Sequence, residues 1–173
     1  MIIEDQHKRI AAMHVTKKGV LALVWMARDP ESDHLHIYDA CTFPTEVPAV
    51  IADGINARGR NIPIAWTHKE MSETLLGKGC RMLHDPAKNS DEAAEMAYRE
   101  IWERMRTKRI SFDKRLKDWL QEAEGLERVD GVVPADESPL MAATQIAIQQ
   151  IDRARAVGRK RQHTTMHKKV AIV

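Results

Sequence analysis

The chain of 173 residues is 43% hydrophobic and includes four Trp and nine Met, which suffices for the core of one domain. It lacks any run of about 18 uncharged apolar residues, and its first residues lack the basic and apolar regions of a secretory signal. We therefore expect neither a membrane span nor export. Cys41 and Cys80 have no zinc-like spacing, which indicates free thiols in a reducing cytosol.

The formal net charge of +2 hides an uneven distribution along the chain. Residues 153–169 carry seven basic side chains and no acid, so the remainder holds 20 basic and 25 acidic residues, a net charge of −5. The seven are Arg153, Arg155, Arg159, Lys160, Arg161, Lys168 and Lys169. We expect a domain over residues 1–156 and a basic tail over residues 157–173. Such a tail is either a binding segment or a solvated end.

The first 40 residues predict an antiparallel meander. Residues 9–15 and 19–28 are rich in branched and apolar side chains, with a turn near Gly19. A second turn follows at 29–33, where Pro and Asp preset turn dihedrals. Residues 35–40 alternate in polarity and predict a third strand.

The next segment predicts a crossover to a parallel strand. A helix over 47–58 has Pro48 near its start and Gly59 at its end. The short apolar run 62–66 then predicts a fourth strand. A strand that follows a helix is expected to pair in parallel through a right-handed crossover, which gives the mixed sheet of an α/β domain.

The second half of the chain predicts mainly helices. Residues 71–79 indicate a short helix or a loop, and residues 81–83 a short fifth strand. A helix begins at Ser90 or Asp91 and ends near Arg106, with acids first and bases last, as the helix dipole favours. Residues 109–112 indicate an extended piece and 114–126 another helix. Ser138 and Pro139 open a final helix that we expect to reach residue 156.

Short motifs occur in a fixed order between residues 7 and 156. They lie at 24–29, 37–39, 62–68, 77–79, 104–109, 118–122, 130–131 and 140–144. In this order and spacing they resemble the C-terminal nuclease domain of phage large terminase subunits, the DNA-packaging motors of tailed phages. The resemblance implies a ribonuclease-H-like α/β fold, with a mixed sheet and helices on both faces.

The resemblance also locates departures from the family pattern. In that family an Asp stands in the first strand where this chain has His14, and another Asp stands where it has Lys69. An Asp pair stands where this chain has Ser138 and Pro139. No G-x-x-x-x-G-K-[ST] motif for phosphate binding occurs. The resemblance therefore implies the fold more strongly than the nuclease activity.

The chemistry of the three positions favours a lost metal site. Two-metal hydrolysis places two divalent ions about 4 Å apart, and carboxylates must neutralise their charge. Magnesium prefers oxygen ligands, and a Lys would add positive charge there. Asp136 and Glu137 are possible substitutes, but acids in that place are also typical charges at a helix N-terminus. His14, His68 and Asp136 form an alternative candidate for zinc or manganese, from three separate elements.

The sequence leaves two classes of function open. The first is a nuclease-inactive, terminase-like phage or prophage protein that binds a packaging or assembly protein, or DNA through the basic tail, with no cofactor. The second is a divergent endonuclease of the terminase type that uses magnesium or manganese. Either would work in the cytoplasm of an infected or lysogenic bacterium, or with the virion. Neither involves a membrane.

Overall fold

A computed structural model of the protein describes residues 1–157. The strands of this part are β1 (Lys8–Val15), β2 (Val20–Arg28), β3 (Leu35–Pro44), β4 (Ile64–Ala65), β5 (Ile110–Phe112) and β6 (Arg155–Ala156). The helices are α1 (Pro48–Arg58), α2 (Lys69–Gly77), α3 (Asp91–Arg106), α4 (Lys117–Glu124) and α5 (Pro139–Gln149). One 3-10 turn, Ile151–Arg153, separates α5 from β6.

The strands form one mixed sheet in the order β4-β1-β2-β3-β5, and β6 also pairs with β1. The pairs β1–β2 and β2–β3 are antiparallel. β4 runs parallel to β1, with Ala11 opposite Ile64 and Ala12 opposite Ala65. The predicted meander and the predicted parallel fourth strand are therefore confirmed.

Side chains of the central strands alternate between two cores. Ile10 and Ala12 of β1 lie on the face that α3, α4 and α5 cover. Ala11 and Met13 lie on the opposite face, under α1 and α2. Because strand side chains alternate with a period of two, β1 and β2 are buried on both sides. Helices on both faces of a mixed sheet are thus confirmed.

Helix α5 is the main helix of the first face. Every residue from Leu140 to Ile148 is buried, so α5 is apolar around almost its whole circumference. Trp119 of α4 donates its Nε1–H to Thr144 Oγ1 at 2.9 Å, and Thr144 Oγ1 donates to the Leu140 carbonyl at 2.8 Å. These buried hydrogen bonds fix the position of α4 on α5.

The prediction that the last helix reaches residue 156 is wrong, because α5 ends at Gln149. The chain turns at Ile151–Arg153, and β6 then pairs with β1, with Arg155 opposite Arg9. β4 contacts only Ala11 and Ala12 of β1, which leaves the start of that edge open for β6. Strand pairing therefore overrides the helical tendency of these residues.

Other boundaries differ in extent. β3 reaches Pro44, beyond the predicted 35–40, because β2 offers partners along its whole length. β4 has only two residues, and the predicted strand at 81–83 is a single parallel bridge between Ile64 and Met82. The ambiguous segment after residue 70 is the helix α2. None of the helices in residues 1–157 has the length and apolar character that a membrane span requires.

Candidate functional site

The candidate site lies where β1 and β4 end side by side. Ala12 of β1 pairs with Ala65 of β4, and both face the core under α5. His14 lies two residues further along β1, and Thr67 lies two residues after Ala65, beyond the end of β4. Both side chains line the same cavity. Sequence reasoning singled out His14 and missed Thr67, although alternation from Ala65 would have identified it.

His14 is bonded to the segment that precedes α5. Its Nε2 lies 3.3 Å from Asp136 Oδ1, and the Lys17 amide donates to Asp136 Oδ2 at 3.1 Å. Burial lowers the pKa of His14, although the Asp136 carboxylate opposes that shift. Partial burial opposes the charge of Asp136, yet hydrogen bonds from Lys17 and His14 lower the pKa of that carboxyl. The lowered pKa of His14 and the lowered pKa of Asp136 are both consistent with a neutral imidazole that donates a hydrogen bond to a charged carboxylate.

The cavity beside His14 has a volume of about 360 Å³. The apolar part of its lining comes from α3, α5 and the loop at 131–133. Two buried polar side chains reach it from the helices: Tyr98, 3% exposed, and Gln145, 8% exposed. Neither residue could be assigned from the sequence, because the rotation of a helix about its axis depends on tertiary packing. Polar and apolar residues contribute about equally to the whole lining, so this cavity is more polar than most sites for small organic ligands.

Acidic side chains stand on the α3 wall of this cavity. Asp91 and Glu95 both line it, at the start of the helix. Glu95 accepts a hydrogen bond from Arg128 at 2.8 Å and has Arg99 at 3.5 Å. Its charge is therefore largely neutralised by neighbouring arginines.

Lys69 and His68 belong to the start of α2. The Lys69 side chain is 80% exposed, its ammonium lies 3.7 Å from the Glu73 carboxylate, and Lys69 does not line the cavity that holds His14. His68 is the N-cap residue of α2, and its Nδ1 accepts a hydrogen bond from the Met71 amide at 3.2 Å. His68 still acts electrostatically on His14 and helps to lower its pKa.

Ser138 and Glu137 lie at the start of α5 beside α4. They line a separate cavity with Glu122. Ser138 occupies the N-cap position, but its side chain makes no capping hydrogen bond. Glu122 caps the helix instead, accepting from the Met141 amide at 3.0 Å. The Glu122 carboxylate is partly buried against α5, and burial raises its pKa.

Of the seven basic residues predicted to bind a partner, only two are within the described residues. Arg153 ends the 3-10 turn, and Arg155 belongs to β6 and is exposed. Arg155 donates to the carbonyls of Asp152 and Ala154. The other five predicted binding residues lie outside the described part of the chain: Arg159, Lys160, Arg161, Lys168 and Lys169.

The described donors do not fit a pair of divalent metal ions. Within residues 1–157 no three His, Cys, Asp or Glu side chains are grouped so that they could hold an ion. At the end of β1 and β4 the groups are the His14 imidazole, the Thr67 hydroxyl and one carboxylate, that of Asp136, which lies 3.3 Å from His14. Magnesium and manganese pairs require several carboxylate oxygens in common. The candidate set His14, His68 and Asp136 is not brought together as such a group.

Comparison with solved structures identifies the fold. The nuclease domain of the bacteriophage P22 large terminase matches with a TM-score of 0.81 and 17% identity, covering 90% of this chain and 87% of that domain. The HK97 bacteriophage large terminase matches with a TM-score of 0.67 and 10% identity, covering 86% of this chain and 40% of that protein.

A third match is the nuclease domain of the bacteriophage SPP1 large terminase, solved with bound manganese. It has a TM-score of 0.57 and 13% identity, and the match covers 82% of this chain and 85% of that domain. No protein-family model and no curated protein matches the sequence. The resemblance predicted from the ordered motifs is therefore confirmed, and the chain has the ribonuclease-H-like fold of the large terminase nuclease domains.

Proposed function

We propose that the protein is a terminase-like phage or prophage protein that acts by binding a partner rather than by cutting DNA. The observation that carries the proposal is the chemistry of the cavity under the ends of β1 and β4. The polar groups of the lining at those strand ends are His14 and Thr67, neither of which is a carboxylate, whereas the carboxylates of the lining, Asp91 and Glu95, belong to α3. Two-metal hydrolysis of a phosphodiester needs carboxylates in that kind of place.

Two of the acids near this cavity are engaged elsewhere. The Asp136 carboxylate binds His14 and the Lys17 amide, and Glu95 is paired with Arg128. If such a carboxylate bound a metal ion, its existing hydrogen bonds would be weakened, which reduces the net free energy of metal binding. The SPP1 domain holds manganese. We infer that this chain keeps the scaffold of that domain without a comparable ligand set.

The binding partner we propose is a protein of phage packaging or assembly. The seven basic residues of 153–169 contrast with a body of net charge −5, and that net charge repels a DNA duplex. DNA binding through the tail is the second candidate, and the tail's charge alone favours it. In either case the protein would act in the cytoplasm of the bacterial host, or in the virion.

A nicking assay tests the absence of nuclease activity. Supercoiled plasmid incubated with the protein and either magnesium or manganese should remain uncut, with the P22 nuclease domain as a positive control. Metal-dependent nicking that disappears in His14→Ala, but persists in the surface variant Asp85→Ala, would establish the divergent endonuclease instead.

A truncation tests the role of the tail. The chain should end at Val157, because a cut after Asp152 would also remove β6 from the edge of β1. This truncation removes five basic side chains and no acid. If the tail binds duplex DNA, affinity should fall by about 10²–10³-fold between 50 and 200 mM salt, and the truncated chain should not bind. Fluorescence anisotropy with a labelled duplex measures both. A truncated chain that binds as well as the full chain would exclude the tail as the DNA-binding element.

A further inference from the structure

The outer edge of β5 is open within the described residues. β5 is the last strand of the sheet order, and it pairs in parallel with β3. The Leu35 amide donates to the Arg109 carbonyl, and the Asp113 amide donates to the Ile37 carbonyl, each at 2.9 Å. In a parallel pair of strands, alternate residues direct their N–H and carbonyl groups to the same neighbour. Because Arg109 and Asp113 bond to β3, both backbone groups of Ser111 also point towards β3.

The backbone groups of Ile110 and Phe112 consequently point away from β3. No hydrogen bond to another backbone or side-chain group in residues 1–157 uses their N–H or carbonyl groups. Both residues are partly exposed. Such a row of unpaired donors and acceptors is a template on which an extended chain can form an additional strand.

The segment around this edge is strongly basic. Residues 104–117 contain one acid, Asp113, and seven basic residues: Arg104, Arg106, Lys108, Arg109, Lys114, Arg115 and Lys117.

Several of these charges are neutralised locally. Arg104 is bound to Asp33 and Glu100, Arg106 to Glu103 and Arg115 to Asp113. The exposed residues Lys108, Lys114 and Lys117 have no ion pair within the described part of the chain, and Arg109 approaches Asp33 only to 3.8 Å. The edge therefore carries uncompensated positive charge at both ends of β5.

The backbone of Lys108, one of the charged residues at this edge, has an unfavourable conformation. Its φ is 56°, in the left-handed region that glycine or asparagine usually occupies after a helix. Its amide closes the end of α3 by donating to the Met105 carbonyl at 3.1 Å. A lysine where glycine would be more stable is the kind of outlier from which a functional role can be inferred.

An apolar groove lies on one side of the same edge. It has a volume of about 200 Å³ and includes Phe112 of β5 in its lining. Trp102, 52% exposed, forms part of its wall, together with Met105 and Leu120. Alternate side chains of an added strand would point towards this side of the sheet.

We propose that the β5 edge binds an extended, acidic segment of a partner protein, which adds to the sheet as a further strand. Backbone hydrogen bonds to Ile110 and Phe112 would supply affinity, and the flanking lysines would select negative charge. A second copy of this chain is disfavoured, because edge-to-edge pairing would bring the same lysines together. No residue of β5 lines the cavity at His14, although Tyr98 lies between that cavity and the apolar groove, so the inference goes beyond the proposed function and does not depend on it.

The test uses the full chain and a dye-labelled peptide of alternating Glu and Val, with a Lys–Val peptide as the charge control. Anisotropy should show saturable binding of the Glu–Val peptide alone. The double variant Lys108→Glu/Lys114→Glu should weaken binding by about tenfold or more, because it reverses two flanking charges. The matched variant Lys18→Glu/Lys78→Glu makes the same charge change at the β1–β2 turn and at the end of α2. It should leave the affinity for the peptide within about twofold.

Two further measurements separate this mechanism from general charge attraction. Amide hydrogen exchange, read by NMR, should slow at Ile110 and Phe112 when the peptide binds. Lys108→Gly removes one charge while it relieves the backbone, so it should bind the peptide more weakly without losing stability.

Three results would overturn the proposal. One is the absence of saturable peptide binding, and another is equal weakening by the two double variants. The third is unchanged exchange at Ile110 and Phe112. A labelled DNA duplex that binds with the same dependence on Lys108 and Lys114, in place of the peptide, would assign the surface to nucleic acid instead. No metal or plasmid is present in this assay, so its outcome is independent of the nicking result.

Discussion

Glu122 should be a main determinant of the stability of α5. Its carboxylate accepts hydrogen bonds from the backbone amides of Leu140 and Met141, at 3.0 Å for Met141, while Ser138 provides no side-chain cap. Glu122→Ala leaves both amides without that acceptor at a partly buried helix end. We expect a loss of about 1–2 kcal/mol in the free energy of unfolding, from the lost cap and the unsatisfied donors. For a chain of this length that corresponds to a fall of about 2–8 °C in Tm.

Glu122→Gln separates the hydrogen bond from the charge. Burial raises the pKa of Glu122, although the hydrogen bonds from Met141 and Leu140 oppose the shift. Burying the charged carboxylate therefore costs stability. Gln keeps an acceptor oxygen without that charge, so Glu122→Gln should lose less than half as much stability as Glu122→Ala. Because the pKa of Glu122 is raised in the folded state, folding favours its protonation. The free energy of unfolding of the wild type should therefore increase, relative to that of the Gln variant, as the pH falls from 7 towards that pKa.

Urea unfolding followed by far-UV circular dichroism measures these differences. Glu124→Ala is the matched control, because Glu124 is an exposed residue of the same helix with no ion pair in the described chain. The reasoning is refuted if Glu122→Ala unfolds at the same urea concentration as Glu124→Ala. It is equally refuted if Gln costs as much as Ala.

Three further perturbations test the packing and the charges. Trp119→Phe removes the hydrogen bond to Thr144 and leaves a void, so chemical denaturation should show a loss of about 1–2 kcal/mol. Burial lowers the pKa of His14 and His36, so their contribution to stability is complete above about pH 6.5 and is lost as the pH falls below it. Urea midpoints should therefore decrease from pH 7 to pH 5.5, and an increase would contradict this. Lys108→Gly should raise the free energy of unfolding by about 0.5–1 kcal/mol, and a loss would show that the left-handed backbone is not strained.

The parts of the fold that could be predicted depend on local signals. The meander follows from a period-two pattern and from turns such as that at Gly19, where φ is +80°. The parallel fourth strand follows from the helix that precedes it and from the handedness of crossovers. The end of α5 could not be predicted, because it depends on the open edge of β1 that β6 occupies, a contact more than 140 residues apart in sequence.

The candidate site divides in the same way. His14 is located by its strand, and Thr67 could have been located by counting two residues from Ala65. Tyr98 and Gln145 come from helices whose buried side is set by packing, so no local pattern assigns them to the cavity. The capping role of Glu122 was equally hidden, because its partners lie on another helix.

The position of Lys69 changes the reason for proposing an inactive site. Placing an ammonium among the metal ligands would have excluded the ions by repulsion, but the Lys69 ammonium lies 3.7 Å from Glu73 and is exposed. The stronger reason is that the His14 imidazole and the Thr67 hydroxyl supply no negative charge and that His14 is bonded to Asp136. Through Asp136 this contact joins the end of β1 to the segment before α5, and it also involves the Lys17 amide at the β1–β2 turn. Side chains whose hydrogen bonds hold the domain together are less free to bind ions or substrate, which is why we propose binding at other surfaces over chemistry at this one.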